Sequence, residues 1–123
     1  MNFVEGVLEP GALPVFRSGD LAVPLDRYGF ESSELVPGRC ALGVRPEHVA
    51  FGDAGKAMPF SHEVEIEVIE PMGSDTLVWT RIGKTNFAFL VDSDSRLNVG
   101  ERAMIGFDPK RASLFDDATG SRL

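Results

Sequence analysis

The side chains that could perform chemistry near neutral pH are few in this chain. They are two histidines, His48 and His62, and one thiol, Cys40. Each histidine neighbours a glutamate, Glu47 or Glu63, so a metal site built from both imidazoles and a carboxylate is one interpretation. No second histidine follows His62 at the helical spacing that a zinc protease requires. We therefore expect no metal site and no catalytic residue in the chain.

The glycines do not form a recognisable nucleotide-binding loop. Gly38 and Gly43 have the first spacing of a phosphate-binding loop, but Val44 and Arg45 follow where Lys and Ser or Thr are needed. Neither a G-x-G-x-x-G motif nor a G-x-S-x-G nucleophile elbow is present. We therefore expect no cofactor site in this chain, and the pattern does not favour a freestanding enzyme.

Acidic side chains occur in two groups. Glu63, Glu65 and Glu67 form an acidic stripe along one face of a predicted strand. A solvated face or a charged edge that resists pairing explains the stripe, and metal binding is the alternative. Glu70 and Asp75 flank the turn that follows. Turn solubility with an Asx-type backbone bond is the first interpretation of this pair, and a contact across a domain interface is the second.

The elements that position these residues are predicted to be strands. Residues 62–70 alternate apolar and acidic side chains, and residues 75–82 and 85–91 continue with β-branched and aromatic residues. Short turns separate the three runs, so we predict a three-stranded antiparallel meander. Further strands are predicted at residues 3–8, 13–17, 21–25, 40–45, 102–107 and 113–115. This spacing is typical of an all-β barrel or sandwich.

Few or no helices are expected, because 13 glycines and 8 prolines occur among 123 residues. The best candidate is a single helical turn near Ser93–Leu97. Gly29–Gly38 and Gly52–Pro59 are predicted to be the flexible loops. With 43% hydrophobic and 25% charged residues, the composition is that of a globular protein. We predict one folded domain over residues 1–123, built from two small intertwined β-units.

Charge and hydropathy exclude several classes of protein. The 12 basic and 19 acidic residues give a net charge of −7, which opposes nucleic-acid binding. The longest apolar run, Phe87–Val91, is far shorter than the ~20 residues of a membrane span, and no secretory leader is apparent. One cysteine excludes an internal disulfide, and a buried apolar thiol is expected. The aromatic residues are expected to lie mostly in the core; they are Trp79, Phe87, Phe89, Phe107 and Phe115.

Several motifs together resemble one known family. The central run Gly43–His48 reads G-V-R-P-E-H, and Val68–Thr76 forms a strand and turn. The similarity is weakest between Glu9 and Leu35. The sequence resembles the C-terminal domain of ATP-binding subunits of ABC importers for sugars and glycerol 3-phosphate, and the matching motifs occur in order along the chain. The other matching segments are Met1-Asn2-Phe3, Phe107-Asp108-Pro109, Leu114-Phe115-Asp116 and Thr119–Leu123.

The resemblance implies an OB-like, TOBE-type antiparallel β-barrel with a regulatory and dimerisation role. It implies that an ATPase domain carrying ATP and magnesium precedes this module, because Met1-Asn2-Phe3 resembles the family's internal junction. The partners implied are a second copy, that ATPase domain, membrane permease subunits and a cytoplasmic regulator. The location implied is the cytoplasmic side of the cell membrane.

Six residues are candidates for these contacts. Arg45, Glu47 and His48 form either a locked structural corner or an exposed patch for a partner. Phe3 is expected to pack on the ATPase domain, and the other two candidates are Glu70 and Asp75. The alternative function is a module that binds a small ligand, an oxyanion or a sugar.

Overall fold

The computed structural model describes residues 1–19, 21–31 and 37–123. Within them it has eleven strands, one short helix, α1 (Gly52–Lys56), and 3-10 turns at Pro46–His48 and Pro109–Arg111. No helix in this part of the chain is long and apolar enough to cross a membrane. The strands are β1 (Asn2–Glu9), β2 (Val15–Ser18), β3 (Leu21–Pro24), β4 (Gly38–Val44), β5 (Ala50–Phe51), β6 (Phe60–Glu65), β7 (Val68–Pro71), β8 (Asp75–Ile82), β9 (Thr85–Asp92), β10 (Arg102–Phe107) and β11 (Ser113–Asp116).

The strands form three antiparallel sheets. The first sheet is one β-unit, and the second and third sheets together are the other. The first sheet has the order β11-β4-β1-β2-β3, the second β5-β10-β6 and the third β7-β8-β9. The chain leaves the first sheet after β4, builds the other two sheets, and returns as β11. The two units are therefore intertwined, as the sequence predicts. The fold is nearly all-β, and the sheets do not close into a barrel within the described residues.

The passage from β6 to β7 corrects one prediction from sequence. The alternating run 62–70 is predicted as one strand, but it changes sheets at Ile66, which is fully buried. The Ile66 amide donates to the Glu101 carbonyl at 2.9 Å. The Glu67 amide donates to the Trp79 carbonyl, also at 2.9 Å. Val68 is consequently 53% exposed, although the alternation predicts that it is buried. The bend lets one extended segment serve two sheets.

The helix also differs from the prediction. Residues 93–97 form a turn without a helix, whereas α1 lies in the segment predicted to be a loop. Gly55 of α1 packs directly on β10: a Cβ at Gly106 would lie 2.1 Å from the Gly55 carbonyl oxygen. Glycine at both positions therefore allows the helix to lie close to this strand. The other predicted loop, Gly29–Gly38, falls partly outside the described residues.

All three sheets contribute side chains to one hydrophobic cluster. Phe107 lies between the sheets, with its ring centroid 5.0 Å from that of Phe60 and 6.4 Å from that of Phe87. Three of the five aromatic residues considered in the sequence, Phe87, Phe89 and Phe107, are buried, and Trp79 and Phe115 are partly exposed. The core prediction therefore holds for most of them.

A buried asparagine joins the first sheet to the third. Asn2 pairs with Val44 through its backbone, while its side-chain amide donates to the Ala88 carbonyl at 2.7 Å. The Ala88 amide donates back to Asn2 Oδ1 at 2.9 Å. The carboxamide therefore satisfies both backbone groups of Ala88 at the edge of β9, as a neighbouring strand would.

Asn2→Ala should destabilise the protein by about 2 to 4 kcal/mol, because it leaves a buried N–H and a buried C=O without partners. Urea unfolding followed by circular dichroism measures the change. The matched control is Asn86→Ala, because Asn86 is exposed and lies two residues before Ala88 on β9. The free energy of unfolding of this variant should stay within about 0.5 kcal/mol of the wild type. Equal effects of the two substitutions would contradict the role of Asn2.

Candidate functional site

The corner after β4 is built by the backbone. Arg45 is extended (φ −74°, ψ 137°), as expected before a proline, and Pro46 starts the 3-10 turn. The amide of His48 donates to the Arg45 carbonyl at 2.9 Å, and that of Val49 donates to the Pro46 carbonyl at 3.3 Å. Arg45 and Glu47 are exposed, and the structure shows no ion pair between them. An Arg45–Glu47 ion pair therefore does not hold this corner.

His48 faces inward rather than outward with its two neighbours. The side chain is half-buried on the turn that packs against β9. Its Nδ1 is buried and has no hydrogen-bond partner within the described residues. No group of three or more His, Cys, Asp or Glu side chains in that part of the chain could hold a metal ion. The exposed part of the motif is thus Arg45 and Glu47.

Phe3 lies in an exposed apolar patch at the same end of the first sheet. Phe3 pairs with Gly43 across β1 and β4, two residues before Arg45. Its ring is 50% exposed and packs on Phe115, with 5.9 Å between centroids. A Cβ at Gly43 would lie 3.2 to 3.3 Å from both rings and 2.6 Å from the Met1 sulfur. We call Met1, Phe3 and Phe115 the outer apolar patch; glycine at position 43 allows it to form.

Glu70 and Asp75 lie at the two ends of the β7–β8 connection, in the third sheet. Glu70 Oε1 accepts a hydrogen bond from Trp79 Nε1 at 3.2 Å. Asp75 bonds through its backbone carbonyl, which accepts from the Met72 amide at 2.8 Å, and no Asx-type bond from its carboxylate is present in the described residues. These two residues belong to the third sheet, whereas the outer apolar patch lies on the first sheet.

The acidic stripe is divided between two sheets and partly paired with arginines. Glu63 Oε1 lies 2.7 Å from Arg102 Nε, and Glu67 Oε1 lies 3.4 Å from an Arg81 guanidinium nitrogen. All three glutamates of the stripe are exposed. Exposed pairs of this kind contribute at most about 1 kcal/mol each. The solvated-face interpretation accounts for the stripe.

Tyr28 is a structural residue that the sequence prediction omits. Its hydroxyl oxygen accepts a hydrogen bond from the Leu114 amide at 2.9 Å, on the outer side of β11. The Arg122 guanidinium lies 5.2 Å from the ring centroid and also pairs with Glu31 at 3.2 Å. Tyr28 thus protects the edge of the first sheet. Its segment lacks a strand or helix pattern, so no periodicity signals the contact.

Cys40 has the properties of a buried structural thiol. Burial first, and then the nearby carboxylates of Asp116 and Asp117, together raise its pKa from the ordinary 9.0 to about 11. A thiol with this pKa is protonated at neutral pH and is a poor nucleophile or metal ligand.

The raised Cys40 pKa predicts a loss of stability at high pH. Above pH 9 the unfolded chain releases the thiol proton, whereas the folded protein retains it until about pH 11. The free energy of unfolding should therefore fall through this window, by about 1 to 3 kcal/mol from this group. Cys40→Ala should flatten that part of the curve, measured by urea unfolding at several pH values. Parallel curves for the two proteins would contradict the assignment.

Known proteins resemble this chain in sequence. Residues 42–115 match the family model of the TOBE domain. The sulfoquinovosyl glycerol transport ATP-binding protein of Agrobacterium fabrum is 33% identical over 96 residues, covering 78% of this chain and 25% of that protein. The sn-glycerol-3-phosphate import ATP-binding protein of Chromohalobacter salexigens is 28% identical over 126 residues, covering 100% and 32%. The trehalose/maltose import ATP-binding protein of Thermococcus litoralis is 25% identical over 132 residues, covering 100% and 34%.

These comparisons confirm the resemblance to importer ATP-binding subunits, and the chain spans about a quarter to a third of their length. A solved structure supports the fold: the cytoplasmic molybdate-binding protein ModG superposes with a TM-score of 0.67 at 16% identity. The match covers 92% of this chain and 94% of ModG. With the family model matching more than half of its residues, the chain belongs to the TOBE domain family.

Proposed function

We propose that this chain is the non-catalytic, C-terminal regulatory and dimerisation domain of an ATP-binding subunit of an ABC importer for sugars, polyols or glycerol 3-phosphate. The observation that carries the proposal is the match of the whole chain to importer ATP-binding proteins of about three times its length. ATP and magnesium would be bound by the ATPase domain of the longer protein. The module itself would make contacts rather than perform chemistry.

The outer apolar patch supports a contact with the ATPase domain. It combines exposed Met1 and Phe3 with the partly exposed Phe115, an apolar surface that a partner would cover. Arg45 and Glu47 stand at the same end of the sheet and offer both charges to a partner.

The remaining contacts follow from the same role. A second copy would join through an isologous surface, and the ATPase halves of the dimer would open and close beneath it. Membrane permease subunits would contact the ATPase domains and hold the complex at the cytoplasmic side of the membrane. A cytoplasmic regulator would dock on the module, for which Glu70 and Asp75 provide an exposed acidic turn.

Self-association of the chain tests the dimerisation role. We expect a reversible monomer–dimer equilibrium, with a dissociation constant between about 10 μM and 1 mM, because one small module supplies only part of a dimer contact. Sedimentation velocity over that range of concentrations measures the equilibrium. A strictly monomeric profile at the highest concentration would count against an autonomous dimer contact.

The exposed charges of the β4 corner provide a second test. Arg45→Ala should leave the free energy of unfolding within about 0.5 kcal/mol of the wild type, because the corner is held by backbone bonds. The same substitution, placed in a full-length importer subunit that contains this chain, should weaken assembly of the transporter. Arg96→Ala, at another exposed arginine, is the matched control. Unfolding at lower urea with normal assembly would show that Arg45 is a structural residue instead.

A further inference from the structure

A cavity of about 560 Å³ lies between the tips of two β-hairpins. One is the β2–β3 hairpin, in which Ser18 pairs with Leu21, and the other is the β8–β9 hairpin, in which Ile82 pairs with Thr85. Each pair encloses a two-residue connection that begins with a glycine in the left-handed region. The two hairpins belong to different β-units, so the cavity lies at the boundary between the units.

The remaining wall comes from two further strands. Glu5 of β1 and His62 of β6 line the cavity together with the hairpin residues. Leu21 and Ile82 also line it, but they are almost fully buried, so only a small part of each aliphatic side chain is accessible from the cavity. Binding sites commonly occur at such boundaries between structural units, with volumes of about 300 to 1,000 Å³.

The polar groups of the cavity have opposite and balanced chemistry. Lys84 supplies an ammonium donor, and Glu5 supplies a carboxylate acceptor. Ser18 Oγ donates a hydrogen bond to the Glu5 backbone carbonyl oxygen at 2.7 Å, so the lone pairs of the hydroxyl remain available as acceptors. Thr85 and His62 can each donate and accept. Among the described residues, the wall therefore offers both donors and acceptors and carries one formal charge of each sign.

This balance selects among ligand classes. A bare oxyanion would meet the Glu5 carboxylate as well as Lys84, and the net charge of −7 opposes its approach. An apolar ligand would cover the partly buried side chains of Ser18, His62 and Thr85 without offering them a hydrogen bond. A hydroxyl group both donates and accepts, so a molecule rich in hydroxyls can bond to the donors and to the acceptors of the wall.

We propose that this cavity binds a small neutral polyhydroxylated molecule, of the sugar or polyol class, between the two β-units. The bound molecule would link the two hairpin tips and stabilise the relative position of the units. This site is separate from the outer apolar patch and from the β4 corner. The proposal does not depend on the role of the chain in an importer.

Titration of the chain with maltose and mannitol tests the site, followed by two-dimensional amide NMR. We expect saturable shifts of the amides of residues 18–21 and 82–85, with dissociation constants of millimolar or tighter for at least one probe. Lys84→Gln and Glu5→Gln should each weaken that binding at least about fivefold, since each removes a hydrogen bond to a charged group. Lys84 and Glu5 are exposed at the rim, so both variants should fold.

Lys110→Gln is the matched control, since Lys110 is exposed outside the cavity and bonds Asp108 only through its backbone amide. It should bind as the wild type does. Absence of shifts with both probes, each at about 50 mM and thus far above the range of specific recognition, would overturn the proposal. Equal weakening by Lys110→Gln would also overturn it. Tighter binding of sulfate than of either neutral probe would show an anion site and overturn the assigned ligand class.

Discussion

The organisation of this molecule depends on the way in which the carboxamide of Asn2 occupies the edge of the third sheet. Within the described part of the chain, β9 has no neighbouring strand on that side, and its buried Ala88 would otherwise leave an amide and a carbonyl without partners. One side chain supplies both bonds while its own backbone pairs with β4 of the first sheet. These bonds fix the relative position of the two β-units, which also share a hydrophobic cluster. The sheets can remain open because this edge is satisfied without a further strand.

Most strands could be predicted because their side chains alternate or because turn residues bound them. The runs 75–82 and 85–91 correspond closely to β8 and β9, and the return of the chain as β11 agrees with the predicted intertwined units. Local patterns could not reveal the bend at Ile66, because its alternation continues unchanged while the hydrogen-bond partners switch from residues 100–101 to Trp79. Local patterns also could not reveal the helix α1, which packs against Gly106, 51 positions after Gly55 in the sequence.

The sequence predicted part of the geometry around the candidate contact residues. The proline of the G-V-R-P-E-H motif correctly indicates a rigid corner, and the structure exposes Arg45 and Glu47 there. The sequence could not show that His48 turns inward or that the corner needs no ion pair, because both depend on the packing of the turn against β9. The residues matched by the family model, 42–115, do not include β1. Yet β1 carries Asn2 and Phe3, the two residues that connect the units and form the exposed patch.

Native-state hydrogen exchange at the Ala88 amide tests the central claim most directly. If Asn2 joins the two units, this amide should exchange only when the whole protein unfolds, with the same free energy as core amides of β4 and β8. Its exchange should then depend on urea as strongly as theirs does. Fast exchange of Ala88, with a small urea dependence while β4 and β8 stay protected, would show that the bridge opens locally. In that case the two units would be held together by their shared core alone.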